Sequence, residues 1–134
     1  MLSEYQISVI LPKLQKVLRI QDWDIEVVLM NSGDFHTHWQ TNDQGHNEVT
    51  RLLNASYISI NKTYSEDNYK TLVHELIHLV FDHLETCETL IYLLNNKQVQ
   101  RSVDDVFSVA LERTVERIAQ IFISVYPLEK LLEE

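Results

Sequence analysis

Cysteine, glycine and proline are almost missing from this chain: one, two and two among 134 residues. A lone Cys87 excludes an internal disulfide and any multi-cysteine zinc site. With so little glycine and proline, and neither repeats nor low-complexity tracts, nothing marks a linker, so a single domain is expected over residues 1–134. No apolar run approaches the ~20 residues of a membrane helix. Met1-Leu2-Ser3-Glu4-Tyr5 lacks the basic start and apolar stretch of a secretory signal. These absences lead to the expectation of a cytoplasmic protein with no membrane partner. Positive charge is also scarce, with 11 basic against 20 acidic residues and a net charge of −9. Without a basic stripe, a phosphate backbone meets net repulsion, and nucleic acid is not an expected partner.

What is present is an ordinary globular composition, 45% hydrophobic and 23% charged. Ser3-Glu4-Tyr5-Gln6 has the form of a capping box opening a helix that carries Ile7, Ile10, Leu11, Leu14, Val17 and Leu18. Pro12 inside that pattern predicts a kink or a restart. Trp23 to Met30 reads as a strand with Trp23, Ile25 and Val27 on one face, and Asn31-Ser32-Gly33-Asp34 as a turn. Phe35 to Thr41 is expected to be a second strand, ended by a turn at Asn42-Asp43-Gln44-Gly45. Leu52 to Asn61 is expected as the third, with Ile58 and Ile60 facing away from Tyr57 and Ser59. Thr63-Tyr64-Ser65-Glu66 and the polar residues after it supply a cap for the helix that follows. A short helix is expected around Glu88 to Asn95. A last long one is announced by Ser102-Val103-Asp104-Asp105 and ends shortly before Pro127. A helix, then strands, then helices gives the α+β class.

Between Lys70 and Leu84, apolar residues occupy almost every helical face, which marks a buried helix. His74-Glu75-Leu76-Ile77-His78 interrupts it as an HExxH pattern. Residues four apart on a helix project only about 40° from one another, so both imidazoles can share one metal ion. Glu75 then lies beside the open side of that metal, where a carboxylate can take a proton from water, the pattern of a zinc-hydrolase centre. Burying two imidazoles and a carboxylate without partners costs a few kcal/mol per group, so something must satisfy them. The plainer possibility is a pair of core histidines bonded to backbone and a structural ion pair.

A catalytic zinc takes three protein ligands and leaves a position open. Glu112 is the expected third ligand. It shares a helix face with Glu116, Ala119 and Ile123, and two acids on a semi-buried face are explained if one binds metal and the other a ligand His. The alternatives are Glu116 itself, His83 and the pair His36 and His38. His83 follows His78 by five residues, which turns it about 140° away. His36 and His38 would alternate on one strand face. Glu85 and Glu88 are expected to be solvated. Cys87 lacks the Gly-Cys motif that a deformylase adds to HExxH.

HExxH followed by a glutamate on a later helix resembles the gluzincin metallopeptidases. The chain is similar to their smallest members, the minigluzincins, and to phage and prophage metallopeptidases. Glu112-x-x-Val115-Glu116-x-Ile118-Ala119 resembles the glutamate helix of ImmA/IrrE-like peptidases. The likeness runs from Ala55 through Ala119. It implies a zincin-like fold, with a small mostly antiparallel or mixed three-stranded sheet packed on the HExxH helix, the glutamate helix and the amino-terminal helix. By the same likeness Glu112 is the ligand glutamate and Glu116 the acid that orients a ligand His, although gluzincins commonly place Asp there. No counterpart of their oxyanion-stabilising Tyr or His stands out.

The expectation is therefore a zinc metalloendopeptidase, with Zn2+ held by His74, His78 and Glu112, Glu75 as general base, and a protein or peptide substrate lying along Ala55 to Asn61 as the sheet edge. A different class is a latent, zinc-stabilised phage or prophage regulatory module, with Leu128 to Glu134 folded over the metal. A SprT-like protease acting on DNA-bound proteins shares HExxH, but the acidic charge and the lack of a cysteine zinc ribbon oppose it.

Overall fold

A computed structural model describes residues 1–40, 43–63, 67–82, 84–86 and 96–133. The chain is α+β, with several helices around a small mixed sheet. Helix α1 (Glu4–Leu18) opens with the capping box: Ser3 Oγ accepts from the Gln6 amide while the Gln6 side chain accepts from the Ser3 amide. It continues through Pro12 without restarting and buries Ile7, Ile10 and Leu14. Strand β1 (Asp24–Met30) follows.

The expected second strand is a helix, α2 (Ser32–Trp39). Asn31 Oδ1 accepts the Asp34 amide at 2.8 Å, so the polar quartet that reads as a turn is an N-cap. His36 and His38, two residues apart on a helix, point about 200° from one another and share no face. Of the expected turn that follows, Asn42 lies outside the described residues, as does Thr41.

Strand β2 (Gly45–Thr50) had no counterpart in the sequence reading, because Val49 is its only branched apolar residue. Arg51–Leu53 forms a short 3-10 turn closed by Asn54 in the left-handed region at φ 45°, so β3 (Ala55–Asn61) starts three residues later than the expected Leu52. The sheet order is β1-β3-β2, with β1 parallel and β2 antiparallel to β3. Ala55 to Asn61 is thus the central strand, paired on both sides, and cannot be the exposed edge. Register places Ile58 opposite Val27 and Asn47, and Ile60 opposite Leu29 and Gly45, on the face toward the third helix.

That helix, α3 (Asn68–Val80), starts from Asp67, whose Oδ1 accepts the Lys70 amide. Asp67, among the polar residues after Glu66, is thus the cap within the expected segment, of which 64–66 lie outside the described residues. The expected helix at Glu88 to Asn95 also lies outside them. Helix α4 (Lys97–Ser102) passes through a π-helical turn (Val103–Ser108) into α5 (Val109–Val125). Ser102 is helical, with φ −63° and ψ −39°, and makes no cap bond, so the expected start there is an interior point of a longer helical course. The end before Pro127 agrees with expectation.

The core lies where α3 meets the sheet, α1 and α5. Leu72, Val73 and Leu76 are fully buried there, with Ile10, Leu14, Ile58, Ile60, Val115 and Ala119. Tyr69 Oη donates to the Tyr126 carbonyl and ties the first turn of α3 to the end of α5. The last helix, α6 (Leu128–Leu132), rests on α1, with Leu131 buried and its carbonyl bonded to Lys13 Nζ. Among the described residues, Leu128 to Glu133 does not fold over the HExxH residues. No described helix is long and apolar enough to cross a membrane. Replacing Leu76 by Ala at this junction should cost about 2–5 kcal/mol, read as a lower urea midpoint with an unchanged slope.

Candidate metal centre

Helix α3 is packed on nearly every side, and His74 and His78 point from its one remaining face toward α5. Ligands held ~2.0–2.1 Å from one tetrahedral ion stand about 3.3 Å apart. The Nε2 atoms of His74 and His78 are 3.3 Å apart. Val115 and Ala119 press α5 onto the core, and Glu112, one turn before Val115, reaches the pair from the opposite wall. Its two oxygens lie 2.7 Å from His74 Nε2 and 3.3 Å from His78 Nε2. Donor atoms of His74, His78 and Glu112 all fall within 4.8 Å of one another, so the three can hold a metal ion.

The outer nitrogens are held as well. His74 Nδ1 lies 2.9 Å from Glu116 Oε2, and His78 Nδ1 lies 3.0 Å from Glu85 Oε1. A ring that donates from Nδ1 presents its Nε2 lone pair inward, the tautomer a metal requires. Glu116 sits on the outer side of His74 and also takes Lys70 Nζ, so it is not one of the converging donors. Glu85 is not the solvated charge expected of it: its carboxylate lies against His78, 3.0 Å from Nδ1. His36 and His38 are not part of the cluster, while His83, Cys87 and Glu88 lie outside the described residues.

Without a metal, the site holds protons. Burial pulls His78 down, but hydrogen bonds to Glu112 and Glu85 outweigh it and raise the ring to about 10. His74 is raised in the same way by Glu112 and Glu116 against the pull of burial. Glu112, bonded to both rings, is held far below the usual carboxylate range. Glu116 is also lowered, first by Lys70. Glu75 goes the other way, since burial raises it more than the two rings lower it.

Glu75 lines the same cleft of about 680 Å³ as His74, His78 and Glu112. Strand β2 forms the facing wall and touches Glu75 closely. A Cβ on Gly45 would stand 2.7 Å from Thr71 Cγ2 and 3.1 Å from Glu75 Oε1, so glycine permits this approach. Two residues on, Asn47 Nδ2 donates to the Glu75 carbonyl at 3.2 Å, and Ser56 Oγ donates to Asn47 Oδ1. Gly45, Asn47 and Glu85 are the site residues that the sequence reading missed. Only Glu85 carried a local signal, standing seven residues, or two helical turns, beyond His78.

Comparison of the chain with protein-family models, curated proteins and solved structures finds no match.

Chelator competition should show Glu112→Ala losing most of the metal affinity, while Glu116→Ala and Glu85→Ala each lose roughly 10–100-fold. Wild-type affinity in Glu112→Ala would remove it from the ligand set. Because metal takes neutral imidazole and both rings are held above their ordinary value, binding near neutral pH must expel protons. Affinity should therefore fall with pH, by at least about a hundredfold from pH 8 to pH 6, since each displaced proton contributes tenfold per unit. A flat profile would contradict this coupling.

Proposed function

We propose that the chain is a zinc-dependent peptidase in which His74, His78 and Glu112 hold the metal and Glu75 is the general base. The observation that carries this reading is the convergence of two inward-facing imidazole nitrogens and a carboxylate in a cleft that also holds a second, buried carboxylate. The donor set suits zinc, which accepts two histidines and a glutamate with one position left open. Zinc bound there would polarise a substrate carbonyl and bring the pKa of a water from 15.7 toward ~7.

The chain's own residues supply the rest. Glu75, raised by burial, is a stronger base than an exposed carboxylate and stands where it can accept a proton from the attacking water. Once protonated, it can pass that proton to the leaving nitrogen as the peptide bond breaks. Among the described residues its side chain has neither a hydrogen bond nor an ion pair to hold it back from this exchange. Glu116 and Glu85 fix the planes of the two rings. The substrate backbone has a place beside β2, which pairs only with β3 among the described residues and leaves an edge along the cleft. The edge strand in this reading is therefore Gly45–Thr50, in place of Ala55–Asn61.

Glu75→Gln tests the assignment, because it keeps shape and removes the base. The variant should retain one equivalent of zinc and lose hydrolysis of an unfolded protein by roughly 10²–10⁴-fold. Undiminished hydrolysis would exclude Glu75 as base.

A further inference from the structure

Strand β2 turns a defined set of main-chain groups toward the cleft. The Asn61 amide donates to the Gln44 carbonyl at 2.8 Å, and β2 runs on from there in the register Gly45 opposite Ile60. In an antiparallel ladder, residues bonded across the pair alternate with residues whose N–H and C=O point the other way. His46, Glu48 and Thr50, like Gln44, therefore direct their main-chain groups to β3, and Gly45, Asn47 and Val49 direct theirs to the free edge. All three of these line the cleft, and among the described residues no strand pairs with that edge. We infer that Asn47 is a positioning residue: its main chain lies in the substrate-binding edge while its side chain holds the main chain of Glu75, so it sets the register of an extended peptide against the general base. The inference rests on the peptidase reading for its effect on turnover and on the strand pairing for its effect on binding.

The clamp has only one orientation. The Glu75 carbonyl can accept but not donate, so it must meet Asn47 Nδ2, which turns Oδ1 toward Ser56. Ser56 lies on the central strand, 4% exposed, and its hydroxyl donates to that oxygen. The amide is thus fixed between β3 and α3, and a flip would set two acceptors against each other. It holds Glu75 by the main chain and leaves the carboxylate free to exchange a proton. Gly45, two residues earlier, lets the strand lie against Glu75 and Thr71. Without the Asn47 side chain, the edge and the helix turn that carries the base lose this tie. A misplacement of about 1 Å between reacting groups is enough to cost roughly 100-fold in rate.

The test has two arms, both on the zinc-loaded full chain. In the first, Asn47→Ala and Ser56→Ala are compared with the wild type for zinc content and for kcat and KM on one peptide. Asn47→Ala should keep its zinc and a KM within about twofold, while kcat falls roughly 10–100-fold; Ser56→Ala should follow in the same direction with a smaller loss. A raised KM with unchanged kcat, or loss of zinc, would overturn the positioning role. Should Asn47→Ala fail to fold, Ser56→Ala and the second arm decide. In that arm a fluorescent peptide, chosen from a random library for binding to Glu75→Gln, is methylated at one backbone nitrogen at a time and its binding read by anisotropy. Methylation at alternate positions should weaken binding roughly threefold to tenfold, and at the positions between them should not. Loss without alternation, beside normal cleavage by the wild type, would overturn the edge register and leave the peptidase reading standing. Alternation with no cleavage by the wild type would do the reverse. A library that yields no binding peptide would overturn the inference outright.

Discussion

Two imidazoles four residues apart on the most enclosed of the described helices converge on one point, and the carboxylates around them are arranged to partner them. Leu72, Val73, Leu76, Ile77 and Leu79 close the other faces of α3. Unsatisfied polar groups in such a place cost several kcal/mol, roughly half the stability of a small domain. The structure meets this demand from two directions. Glu112 and Glu116 come from α5, and Glu85 comes from the chain just beyond α3. Two nitrogen lone pairs and a carboxylate facing one point repel each other unless a positive charge lies between them. The protein therefore draws a cation into that point, as protons on the rings or as a metal. The high proton affinity of His78 and the low one of Glu112 express the same fact.

The constraint extends into the sheet. Glu75 is held from behind by its own helix and from the front by β2, where a missing side chain at Gly45 and the amide of Asn47 set the distance between strand and helix. The strand that borders the cleft thus also packs against the buried carboxylate. Burial follows from that contact, and burial raises the proton affinity of Glu75. Fold and site chemistry are joined at a few atoms here, and β2 is polar because its work is contact with the site more than filling of the core.

Much of this was legible in the residue order. The enclosed helix, its paired histidines, the capping box at Ser3 and the end of the last helix before Pro127 are local patterns with local causes, and each is found in the structure. Glu112 could be singled out because two acids on a semi-buried helix face ask for a reason. Phe35 to Thr41 misled because four polar residues that can turn a chain can equally cap a helix, and the decision rests on where Asn31 places its side chain. Strand β2 was invisible because an edge strand needs few apolar residues when its neighbour, β3, carries Ile58 and Ile60 into the core.

The sequence by itself determined the metal-capable pair and the acid between them, because helical geometry alone brings positions 74 and 78 to one side. It also determined the buried character of that helix and the acidic balance of the chain. Tertiary structure decided which carboxylates reach which nitrogen, that Glu85 is among them, and that β2 and not β3 borders the cleft. Those facts depend on contacts between residues 7 to 42 positions apart. Such contacts are set by how helices and strands pack, and no local pattern in the chain encodes the final ångströms between their side chains.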